Sequence, residues 1–257
     1  MVTVLVAGCG GLRSSGPPAQ GGSLAQQVSL QGQSYTVGSK TFDEALVLCQ
    51  IAIAALESVN AEVSDQCNLG GSDATRNALL GGDIDLYWEY TGTAWVSFLG
   101  QQPIQDSKVQ YEAVKDLDLA QNKIVWLQPT PFNNIYSFAL KRERAEQLGL
   151  RTLSDMAAYI PSDQPGNMCI ESVYLNRDDG FPGLQRTYGF QVPSDRLQVL
   201  QTGAIYQATT IRRSACSGRC SSPTAVSTAW LTVLQDDKLY YPLYNAAPHH
   251  AQRGLRP

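Results

Sequence analysis

Apolar and polar positions along the chain follow two different periods, and the switches between them lay out a β-α-β order. "SYTVGSK" alternates with period two and is rich in β-formers, which predicts a strand ending at Gly38-Ser39-Lys40. "TFDEALVLCQIAIAALESV" has apolar residues at helical spacing, which predicts a helix capped by Thr41 or Asp43. "AEVSDQCNL" predicts a second strand, "SDATRNALLGGD" a short helix capped by Ser72 and stopped by Gly81-Gly82, and "IDLYWEY" a third strand. "SKVQYEAVKDLDLAQN" adds a helix and "KIVWLQP" a strand. After a connection at 128–134, "NNIYSFALKRERAEQLGL" begins extended and turns helical, and "TLSDMAAYI" reads as a further helix. "CIESVYL", "LQRTYGF" and "LQVLQTGAIYQATT" complete a second α/β set. The order predicts two α/β lobes, the first built on a parallel sheet covered by helices. Ligands of such folds sit beyond the carboxyl ends of strands or between domains, and Lys40, Tyr90 and Tyr136 fall at or near strand ends.

Composition narrows the partners. The chain has 257 residues, 43% of them apolar, enough for a substantial core. A net charge of −4 and a pI near 5.2 argue against a nucleic-acid partner, which would call for clustered Lys and Arg. No apolar run approaches the roughly 20 residues of a membrane helix.

The opening "MVTVLVAGCGG" is a short apolar run, and "GLRSSGPPAQGGS" after it is a tether of Gly, Pro and Ser. The pair resembles a bacterial lipobox, with Cys9 as the residue to be lipidated. A basic segment before the apolar run is missing, so the true start is expected upstream. The alternative is an ordinary buried strand with a chance cysteine. The lipobox reading puts the protein outside the cytoplasmic membrane, on a lipid anchor. There, Cys49 and Cys67 are expected to join a helix to the following strand as a disulfide, the alternative being two buried thiols. No cysteine spacing fits a zinc knuckle, and the two histidines, His249 and His250, lie near the end of the chain. Neither metal nor cofactor is expected. No Ser-His-Asp or Cys-His arrangement presents itself, and "LGGSDA" lacks the lysine of a phosphate loop, so an enzyme ranks behind a binding protein.

"GSKTF", "LGGSDATRNALLGGDIDLYWEYTGT", "NNIYSFAL", "NRDDGFPGLQRTYGF", "TGAIYQA" and "LTVLQDDKLYYPLYNAAP" together resemble the quaternary-ammonium (glycine betaine, choline, carnitine) binding proteins of osmoprotectant ABC importers. The resemblance implies an α/β, two-lobed periplasmic-binding-protein-like fold of type II, a Venus flytrap closing over one small cation. It implies residues 35–131 plus 232–257 as one lobe, 132–231 as the other, and 1–34 as signal remnant and tether. It also implies Tyr90, Tyr136 and Tyr206 as walls of an aromatic cage, with Lys40, Thr93 and Arg177 holding a ligand carboxylate and Asn134 lining the same site. The implied partners are a quaternary-ammonium ligand and a membrane permease, and the protein is expected to act as a monomer. The chemistry is coherent, because a quaternary ammonium cannot donate a hydrogen bond or shed its charge. Aromatic faces offer it negative potential and apolar surface together, at about 0.5–2 kcal/mol each. A vestigial lipoprotein that binds nothing, or the same fold taking an aromatic or polyphenolic ligand, are the alternatives.

Two stretches depart from the pattern. "SGRCSSPTAVS" stands where a fourth cage aromatic is expected and fits neither strand nor helix, and "HHAQRGLRP" replaces an expected helical continuation. A one-nucleotide slip permits a family-like run in the first and a basic-then-apolar helical start in the second. Residues 214–230 and 249–257 are therefore expected to be out of frame, and the lobe they leave uncovered to be unstable.

Overall fold

The computed structural model describes residues 22–160, 168–177, 179–200, 204–205, 215–220 and 230–252, with backbone alone at 173 and 215–220. The chain runs β1 (Ser34–Lys40), α1 (Asp43–Ser58), β2 (Glu62–Gly70), α2 (Ser72–Gly81) and β3 (Leu86–Tyr90). A single turn α3 (Thr91–Thr93), widening into a π-helical turn at Ala94–Phe98, leads to α4 (Ser107–Asn122) and β4 (Ile124–Trp126). A second set follows: β5 (Ile135–Lys141), α5 (Arg142–Leu148), α6 (Leu153–Tyr159), β6 (Met168–Glu171), α7 (Ser172–Leu175), α8 (Phe181–Tyr188), β7 (Leu197–Leu200), β8 (Ala215–Cys220) and β9 (Leu231–Val233). The chain then returns as β10 (Ala246–Ala251). Two five-stranded sheets result, ordered β2-β1-β3-β10-β4 and β7-β6-β8-β5-β9. None of the helices among the described residues is long and apolar enough to cross a membrane.

The helix ends correct two expectations. The cap position of α1 is Phe42, not Thr41 or Asp43. Phe42 is 6% exposed and packs on Tyr90 at 5.6 Å, so burial of its ring fixes where the helix begins. Asp43 and Glu44 occupy the first turn, where carboxylates suit the helix dipole. Likewise α2 is preceded by Gly71 in the cap position, and Ser72 is its first residue. Gly82, at φ 89°, ends it as expected. Asp106 caps α4 by accepting from the N–H groups of Lys108 (3.0 Å) and Val109 (2.9 Å).

The first sheet is parallel only in part. β1 pairs parallel with β2 and β3, whereas β10 is inserted antiparallel to both β3 and β4. The text after Pro248, expected to be out of frame where a helical continuation belongs, is strand as far as Ala251. Similarly, of the stretch 217–227, expected to fit neither strand nor helix, the first four residues belong to β8, antiparallel to β5 and parallel to β6, and the rest lies outside the described residues. Ladder hydrogen bonds come from the backbone, so a gap between two strands can recruit a segment whose side chains give no β signal. Cys49 and Cys67 are joined as a disulfide that ties α1 to β2.

His249 is fully buried on β10, with its ring centroid 4.1 Å from that of Tyr87 and 4.8 Å from that of Trp126, stacked on the latter. Burial, and after it the Arg76 and Lys40 charges, push its pKa well below 6.5. The folded state therefore holds a neutral imidazole, while the unfolded chain takes up a proton near 6.5. Stability from this residue is complete above that pH and falls as the solution is acidified below it, by up to about 1.4 kcal/mol per pH unit. Melts of wild type and His249→Phe between pH 7 and 5 should diverge, the variant losing less. Parallel curves would show that the fold does not lower the pKa of His249.

Candidate ligand-binding site

The two lobes are joined by two crossing segments that are zipped together. Asn134 N–H donates to the Tyr244 carbonyl (3.0 Å), Thr130 N–H to that of Ala246 (2.8 Å), and Tyr244 N–H to Asn133 Oδ1 (2.7 Å). The small-residue turn after Tyr90 is shaped by this crossing. Thr91 N–H donates to the Asn245 carbonyl (3.0 Å) and its hydroxyl to that of Leu243 (3.1 Å). A Cβ on Gly92 would stand 2.7 Å from the Leu243 oxygen, so only glycine admits the crossing chain there. "EYTGT" and "YPLYN", far apart in sequence, form one structural unit.

Around this unit the side chains form two adjoining groups, whose tyrosine rings belong to a single buried cluster. In the first, the Tyr90 hydroxyl donates to Glu44 Oε1 (2.8 Å), and Asn134 Nδ2 donates to the same oxygen (2.9 Å). The Lys40 ammonium stands 5.3 Å from the centre of the Tyr90 ring. Lys40 is ion-paired with Glu89, and both are buried. Glu89 also accepts from the Tyr87 hydroxyl (2.9 Å) and the Tyr90 N–H (2.7 Å).

The second group is centred on Tyr136. Its ring centroid lies 4.6 Å from that of Tyr174, 5.6 Å from Tyr244 and 6.2 Å from Tyr241. The Tyr174 and Tyr241 hydroxyls are hydrogen-bonded to each other. Burial first pushes both phenols well above the ordinary value; Tyr174 is raised further by its tyrosine neighbours, and Tyr241 stays raised although its hydrogen bond with Tyr174 works the other way, so both stay neutral and keep electron-rich faces. The Arg177 guanidinium lies 5.9 Å from the centre of the Tyr136 ring and is paired with Asp179, its Nε 2.7 Å from Oδ1. Burial works against the charge, but the Tyr136, Asp179 and Tyr244 groups outweigh it and hold the Arg177 pKa well above its usual value. From the second lobe, Arg177 also reaches the hydroxyls of Thr93 (3.3 Å), Ser72 (3.4 Å) and Ser97 (3.4 Å) of the first. These bonds make Arg177 a latch between the two lobes. A cleft of about 740 Å³ opens beside this latch, lined by Asp73, Ser97, Asn176 and Tyr240 among others.

Of the residues singled out in the sequence, Lys40, Tyr90, Thr93, Asn134, Tyr136 and Arg177 are thus brought to one region where the lobes meet. Tyr206 and Cys9 lie outside the described residues. Sequence reasoning missed Glu44, Glu89, Asp179, Tyr174, Tyr241 and Tyr244. The doubled tyrosines of "LYYPLYN" were a signal for the last two; the acids carried none, since a carboxylate in a helix start or a strand reads as solvated until its partners are seen.

Residues 33–254 match the family described as the substrate binding domain of ABC-type glycine betaine transport system, OpuAC. The chain is 33% identical over 224 residues to the glycine-betaine-binding protein of Pseudomonas aeruginosa, covering 85% of this chain and 71% of that one. It is 30% identical over 242 residues to the glycine betaine-binding protein YehZ of Escherichia coli, covering 90% and 79%. The structure of apo YehZ superimposes with a TM-score of 0.54 at 28% identity, over 85% of this chain and 80% of that one.

Proposed function

The chain belongs to the family of substrate-binding domains of ABC-type glycine betaine transport systems, and from that premise we propose that its tyrosine cluster is the cage for a quaternary-ammonium osmoprotectant of the glycine betaine, choline or carnitine type. The observation that carries this reading is the packing of Tyr136, Tyr174, Tyr241 and Tyr244 into one buried group beside Tyr90, where the two lobes cross. Such a group supplies the negative faces that a permanent cation needs and that water would otherwise supply. Closure of the lobes, fastened by Arg177 on Thr93, Ser72 and Ser97, is the working step, and no bond of the ligand is made or broken. The family is one of transport proteins, not enzymes. The protein acts outside the cytoplasmic membrane as a monomer, anchored by lipid on Cys9, and hands its ligand to a membrane permease.

Calorimetric titration of the chain from residue 23 onward with glycine betaine, choline and carnitine tests the reading. One saturable site for at least one of the three is expected. No heat with any of them, alongside a cooperative melt, would mean a sound fold with a different ligand. No heat with a broad melt would mean a chain that no longer binds.

A further inference from the structure

Building on the quaternary-ammonium reading, we propose that Glu44 sets the specificity of this site, favouring ligands with a net positive charge over zwitterions. The argument is a charge count at the cage. Lys40 is already paired with Glu89, and Arg177 with Asp179, both inside the protein. Each cation is thus balanced by a carboxylate held at its side, and neither presents an uncompensated positive charge to a ligand carboxylate. Glu44 differs. Its Oε1 accepts from two neutral donors, the Tyr90 hydroxyl (2.8 Å) and the Asn134 amide (2.9 Å). Glu44 takes part in none of the ion pairs among the described residues.

Among the described residues, the cations Lys40 and Arg177 stand with the carboxylates Glu89, Asp179 and Glu44, which leaves one negative charge in excess. The first turn of α1 offers roughly half a positive charge, too little to balance a full carboxylate. The excess charge sits one hydrogen bond from the hydroxyl of a cage wall. A monocation neutralises it. A zwitterion brings an equal negative charge that must displace an internal carboxylate or lie beside one, and in a partly desolvated site like charges are costly. Choline is the simplest monocation of this class, and glycine betaine the simplest zwitterion.

The same shape with a different charge gives the test. Choline chloride and glycine betaine are titrated, at equal ionic strength, into wild type, Glu44→Gln and Glu44→Asp. Glutamine keeps an oxygen to accept from Tyr90 and Asn134 but removes the charge; aspartate keeps the charge. In wild type, choline is expected to bind about tenfold more tightly than glycine betaine, or better. In Glu44→Gln that ratio should fall to about one or below, with choline weakened and glycine betaine unchanged or tightened, while Glu44→Asp keeps the choline preference. A purely structural role for Glu44, holding Tyr90 and Asn134 in place, would weaken both ligands alike and leave the ratio unmoved. That result overturns the proposal, as does a wild type that binds glycine betaine as tightly as choline. If neither ligand binds, the quaternary-ammonium reading falls first and the specificity with it.

Discussion

Tyr136→Leu is expected to weaken quaternary-ammonium binding roughly thirty- to a hundredfold, with only a small loss of stability. Tyr136 is the ring on which the others converge, with Tyr174, Tyr241 and Tyr244 all within 6.2 Å of it. Leucine fills much of the volume, so the surrounding core keeps most of its packing, but it has no π face. A desolvated cation–π contact contributes up to about 2 kcal/mol, and a central, fully buried anchor more than a peripheral one. Tyr136→Phe separates the ring from its hydroxyl and should bind within a few-fold of wild type. Binding that survives in the leucine variant would place the cation elsewhere. Equal damage in the phenylalanine variant would mean that the hydroxyl, not the face, is what matters.

The second large effect concerns stability. Lys40→Met should lower it by about 3–5 kcal/mol, because it leaves the carboxylate of Glu89, itself fully buried, without its cation. The Tyr87 hydroxyl and Tyr90 N–H still donate to that carboxylate, but neither carries charge. For a chain of this size the midpoint of a thermal melt should fall on the order of ten degrees. Adding Glu89→Gln to Lys40→Met should recover most of the loss, since a neutral amide tolerates burial there. A double variant no more stable than the single would show that the loss does not come from a stranded charge on Glu89. The family resemblance placed Lys40 on a ligand carboxylate; its buried partner gives it a task in the fold itself.

How much of this was legible in the sequence depends on which forces placed each residue. α4 could be read because one face of it is buried, and burial leaves its period in the text; β1 and β5, buried on both faces over most of their length, could be read from their β-forming residues instead. Tyr90 and Tyr136 were found because they fall at strand ends inside recognisable motifs. Glu44 was not, because its meaning comes from two donors on other elements, Tyr90 and Asn134. Tyr174 was hidden inside "CIESVYL", which reads equally well as strand all the way through. β10 was the largest omission. "AAPHHA" has no β-branched residue and contains a proline, both signals against a strand inside a sheet. Pro248 is tolerated because it faces Trp88 on β3, while pairing with β4 begins only at His249. On its other side the Pro248 carbonyl accepts from the N–H of Leu127 (2.9 Å), the residue after β4, so the missing N–H forgoes only one bond, at the end of that ladder.

The route of β10 also sets a timetable for synthesis. Every strand of the second sheet precedes β10 in the chain, so that sheet can close as it leaves the ribosome. The first sheet cannot, because its central gap between β3 and β4 stays open until the last strand arrives. At roughly 5–20 residues per second the wait is on the order of ten seconds, during which two strand edges stand unpaired. The part of the protein that begins first is finished last, and its exposed edges are what a holdase outside or inside the membrane would meet.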